Sequence, residues 1–64
     1  MTFEEETYLT DILEAFNEKP AKCNDWEKGF MNDMYQRHQE YGFDIRISPK
    51  QWAILHKIGD KYGI

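Results

Sequence analysis

Several things are scarce in this chain. It holds one cysteine, Cys23, so no disulfide forms within it. Its four glycines, Gly29, Gly42, Gly59 and Gly63, are scattered, which excludes a glycine-rich phosphate loop. The only prolines are Pro20 and Pro49, and the only histidines are His38 and His56. No apolar run approaches the ~20 residues that a membrane-spanning helix needs. The first residues lack the basic-then-apolar order of a secretion signal, so the expected location is cytoplasmic. Residues 1 to 18 contain no basic side chain at all.

What is present argues for a folded domain. Sixty-four residues make one domain, 1–64, with a modest core and a stability margin of a few kcal/mol. Aromatic residues make up 16% of the chain, too many for a disordered segment, and charged residues 31%. The net charge of −4 argues against non-specific nucleic-acid binding by the chain as a whole.

Three helices are legible, each with a capping pattern. Thr2 with Glu5 three later predicts a start at about Phe3, and Glu4, Glu5 and Glu6 suit the positive end of the helix dipole. Leu9, Ile12, Leu13 and Phe16 form its apolar stripe, opposite Glu4, Asp11, Glu14 and Glu18. Lys19-Pro20 ends it near Asn17. Asn24 with Glu27 predicts a second helix from Asp25, stopped by Gly42. Ser48, Pro49 and Gln51 specify the start of a third helix, whose stripe is Trp52, Leu55, Ile58 and Tyr62 and whose stop is Gly63. Between the last two, FDIRI (43–47) alternates apolar and polar residues. It reads either as an extended connector whose apolar side chains plug a gap, or as a short strand. A strand without a partner could pair across the two-fold axis of a homodimer. The expected fold is therefore all-α: a small three-helix domain with an extended connector between helices two and three.

The second helix is ambiguous about its inner face. Trp26, Phe30, Met34 and Tyr41 share one stripe, with Arg37 oddly placed inside it. Met31, Tyr35 and His38 form a second, weaker stripe. Either this helix is central and packs on both sides, or one stripe is exposed and binds a protein. Gly29 and Gly59 lie inside helices, where each costs about 1 kcal/mol against alanine; close helix approach is the expected reason.

Candidate chemistry is sparse. Cys23 precedes a helix N-terminus beside Lys22, which favours thiolate, but a catalytic thiol needs a base set against it. Cys23, His38 and His56 lack the paired spacing of a zinc module. Among twelve acidic residues, a working acid–base pair would need a cleft that so small a helical domain has little room for. No catalytic residue, metal or cofactor is expected. Charge is segregated: residues 1–18 carry −6, and residues 45–64 carry +3 from Arg46, Lys50, Lys57 and Lys61 against Asp60. Lys50, Lys57 and Lys61 fall on one outward row of helix three. These are either solvated faces or docking surfaces.

The span Asp25 to Tyr62 resembles small proteins encoded by tailed bacteriophages. In these a tryptophan-started helix, here DWEKGFMNDMYQRHQEYG, leads into a capped helix, here SPKQWAILHKI. The shared motifs are Trp26, Gly29-Phe30, Gly42, Ser48, Lys50-Gln51 and Leu55 to Ile58. This chain differs in its longer FDIRI connector and its added acidic first helix. The resemblance implies phage origin, a host-cell cytoplasmic setting and the company of DNA-metabolism genes; it implies no chemistry.

The expected function is a small non-enzymatic interaction protein that binds a bacterial host or phage protein. Its expected contacts are Met31, Tyr35, Arg37, Lys50, Lys57 and Lys61. The alternative is an accessory nucleic-acid-binding factor that docks through the lysine row of helix three. An acidic nucleic-acid mimic built on Glu4, Asp11, Glu14 and Glu18 would be under-charged for its task.

Overall fold

A computed structural model describes all residues, 1–64. It is all-α: α1 spans Phe3–Glu18, α2 Asp25–Tyr41 and α3 Pro49–Lys61. All three capping boxes form with both bonds. Thr2 pairs with Glu5, Asn24 with Glu27 and Ser48 with Gln51, each side chain accepting from the other residue's backbone N–H. The α3 C-terminus closes as a Schellman motif. Gly63 takes φ 73, its N–H reaches the Asp60 carbonyl, and the Ile64 N–H reaches the Gly59 carbonyl.

Two short 3-10 turns complete the chain, Pro20–Lys22 and Gly42–Asp44. Gly42 ends α2 at φ 56, a conformation that side chains rarely adopt. The Ile45 N–H then bonds back to the Gly42 carbonyl at 3.2 Å. That turn breaks the period-two alternation of FDIRI. Ile45 is buried and Ile47 half-buried, whereas Phe43 points into solvent. Ile45 and Ile47 turn towards the core, the segment opens with a 3-10 turn, and no strand forms.

The core consists of Leu9, Ile12 and Leu13 from α1, Met31 and Met34 from α2, Leu55 and Ile58 from α3, with Cys23 and Ile45 from the links. The central element is α1, which packs closely on both α2 and α3; these two meet more sparsely. This corrects the expectation that α2 is central. Each flanking helix is also tied to α1 by a histidine. His38 Nε2–H donates to Glu6 Oε1 at 2.8 Å, and Tyr8 Oη shares a 2.9 Å hydrogen bond with His56 Nδ1. Gly59 lets α1 and α3 approach. A Cβ there would lie 2.9 Å from Tyr8 Oη and 3.3 Å from Ile12 Cδ1. At Gly29 a Cβ would meet nothing within 4 Å, so close packing does not explain that glycine.

Candidate functional site: an uncovered flank of α2

The buried face of α2 is Glu27, Met31 and Met34, with His38 half-buried at its end. These positions cluster within one narrow arc at about 100° per residue. The stripe Trp26, Phe30, Met34 and Tyr41 was expected inside. Only Met34 is; Phe30 is half-buried, while Trp26 is 62% exposed and Tyr41 56%. The physical reason is width and volume. Apolar residues cover about half the girth of α2, from Tyr35 round to Trp26. α1 can cover only the middle of that arc. The flexible, narrow methionines Met31 and Met34 fill the space there, fully buried in the core with Leu9, Ile12, Leu55 and Ile58.

The uncovered flank is an aromatic row with an arginine in it. Trp26 stacks on Phe30 with ring centroids 5.7 Å apart and planes within 10° of parallel. Two turns on, Arg37 is held by Asp33, Nε to Oδ2 at 3.1 Å. Tyr41 follows. Arg37 and Tyr41 then border a shallow hollow of about 320 Å³, completed by Asp44, Ile45 and Arg46. Trp26 and Tyr41 lie about 22 Å apart along the helix axis, at 1.5 Å per residue. Arg37 is therefore not a snorkelling core residue but part of an exposed row. Its presence in the Trp26–Phe30–Tyr41 stripe was the sequence signal that this stripe faces outward.

The six expected contact residues separate. Met31 is fully buried and belongs to the core, so it drops out of any contact surface. Tyr35 is exposed, but it sits about 160° round the helix from Arg37 and borders α1 beside Leu13, Glu14 and His38. Lys50 and Lys57 are exposed and unpaired. Lys61 is engaged, its Nζ donating to Glu27 Oε1 across the α2–α3 gap. That bond, then the Asn24 backbone N–H, holds the Glu27 carboxyl below the usual carboxylate range. The lysine row is thus reduced to two free side chains.

Other candidate groups are occupied within the fold. Cys23 is buried, with Sγ 3.5 Å from Tyr62 Oη. The Tyr62 hydroxyl donates to the Lys19 carbonyl at 2.7 Å, so the thiol is the donor to Tyr62. Burial, then this thiol bond, raises the Tyr62 phenol above its ordinary range. Both histidines are bonded to α1 rather than to Cys23. No cluster of three or more His, Cys, Asp or Glu side chains is placed to hold a metal ion. No helix is long and apolar enough to cross a membrane. Compared with protein-family models, with curated proteins and with solved structures, the chain matches none.

Proposed function

We propose that this chain is a small non-enzymatic interaction protein, of phage origin, that binds a bacterial host or phage protein through the uncovered flank of α2. One observation carries the reading: Trp26, stacked on the half-buried Phe30, lies open to solvent in line with Arg37 and Tyr41. Tryptophan, tyrosine and arginine are the residues on which interface energy concentrates. The Trp26 ring is already set against Phe30, and Arg37 is already set by Asp33, so little conformational freedom is lost on contact. Phage origin rests on the resemblance of Asp25 to Tyr62 alone.

The test is capture of partners from bacterial lysate by the immobilised chain, with and without nuclease. The expected result is a nuclease-resistant protein retained by the parent and lost by Trp26→Ala and by Arg37→Ala. Retention by both variants would overturn the α2 assignment. A second reading, an accessory nucleic-acid binder, is supported by the exposed, unpaired cations Arg46, Lys50 and Lys57 of the basic segment 45–64. It requires retention that nuclease abolishes and that falls steeply with salt.

A further inference from the structure

The spacing along the uncovered flank is symmetric. Trp26, Phe30, Arg37 and Tyr41 are separated by four, seven and four residues, so the row reads with the same intervals in both directions. An isologous two-fold contact requires that property, because residue i meets residue j while j meets i. Laid antiparallel against its own copy, the row sets Trp26 against Tyr41 of the second copy and Phe30 against Arg37 of the second copy, each twice. The first is an aromatic pair and the second a cation over a ring face. Asp33 falls beside the two-fold axis, where its bond to Arg37 keeps the guanidinium aimed along the row.

We infer that α2 pairs with α2 of a second copy of this chain, antiparallel, through Trp26, Phe30, Arg37 and Tyr41. This rests on the same reading of the flank as a contact surface and names an occupant for it. The connector plays no part, since Ile45 is turned into the core and no strand is free to pair. The area is adequate but small. Fully covered aromatic side chains bury ~150–250 Å² each, and Trp26 and Tyr41 have about half of theirs free. With Phe30 and the stems of Asp33, Arg37 and Glu40, a pair of copies covers roughly 1,200 Å² in total, the lower edge of a stable interface. An interface at that lower edge leaves room for another protein to displace one copy.

Sedimentation of the full chain across about 1–500 µM tests this. The expected mass rises from 7.7 kDa towards twice that value. Arg37→Glu should move the midpoint at least tenfold higher, since both equivalent Phe30–Arg37 contacts are lost at once. Register is tested by oxidation. Asp33→Cys should cross-link to itself near the axis, and Gln39→Cys, on the opposite flank, should not. Cys23 is buried and out of reach. A mass of 7.7 kDa at 500 µM, an unmoved midpoint in Arg37→Glu, or cross-linking at Gln39 in place of Asp33 overturns the dimer. A monomer whose Trp26 and Arg37 variants still lose a captured protein sinks the dimer and leaves the interaction reading intact. A dimer whose parent captures nothing does the reverse.

Discussion

The α1–α3 contact and the outer flank of α2 are built from similar residues and end differently. On the first, Tyr8, Trp52 and His56 pack as one aromatic group, with Tyr8 and His56 centroids 5.0 Å apart, over a glycine that admits the helix opposite. On the second, Trp26, Phe30 and Tyr41 run beside a glycine that admits nothing; Phe30 is half covered, and Trp26 and Tyr41 stay exposed. The same residue types thus form a finished interface in one place and an open one in the other. What differs is the presence of α1. A small bundle with one central helix cannot cover a flanking helix whose apolar arc spans half its girth. The uncovered remainder is the surface proposed above for a partner.

Truncation of the finished side should be far more damaging. Leu55→Ala removes a fully buried side chain at the α1–α3 contact and should cost about 2–5 kcal/mol. In a domain this small that approaches the whole margin, so thermal melts should show a largely unfolded chain at 37 °C. A normal melt would mean that α3 contributes little to the core.

The Glu27–Lys61 link sharpens the contrast because it is the one ion pair between α2 and α3. The Glu27 carboxyl sits below its ordinary range when folded, so on acidification the unfolded chain takes up the proton first. Its contribution is complete above about pH 5 and is lost as pH falls through the folded value. Glu27→Gln retains the capping box but removes the charge. Urea midpoints of parent and variant should therefore differ at pH 7 and draw together as pH falls below the usual carboxylate range. An equal gap throughout would mean that the charge does not matter.

The two mid-helix glycines should respond with opposite signs. Gly59→Ala pushes against Tyr8 Oη and Ile12, displaces the Tyr8–His56 bond, and should lower stability by about 1 kcal/mol. Gly29→Ala meets nothing and should raise it by about 0.5–1 kcal/mol through helix propensity. Melting both at low protein concentration checks this. A destabilising Gly29→Ala would place another part of the fold against that flank.

Much of this architecture is legible in the residues themselves. Each cap is a local event: Thr2 and Glu5, or Ser48 and Gln51, need only their own turn to bond, so spacing predicts them. The stripes of α1 and α3 are narrow enough to name Leu9, Ile12, Leu13, Leu55 and Ile58 as core. The inner face of α2 is not legible in the residues, because its apolar arc is wide and nothing local decides which part α1 will cover. Met31 was expected at the surface for that reason. Trp26 and Tyr41 were expected inside, since large aromatics dominate any count of hydrophobicity. The histidine ties to α1, His38 to Glu6 and His56 to Tyr8, join residues far apart in the chain and leave no mark in spacing. FDIRI failed as a strand because Gly42 turns the chain before the alternation can act. Arg37 was the one local clue to the outward row, since a charge inside an apolar stripe is costly only where that stripe is buried.

The claim that this flank is surface, not core, is tested most directly by the melting temperature of Trp26→Ala, measured at low concentration beside Leu55→Ala and the parent. Exposed residues change stability by only about 0.5 kcal/mol, so Trp26→Ala should melt within a few degrees of the parent while losing its captured partner and its self-association. A fall comparable to that of Leu55→Ala would put Trp26 in the core and contradict the account.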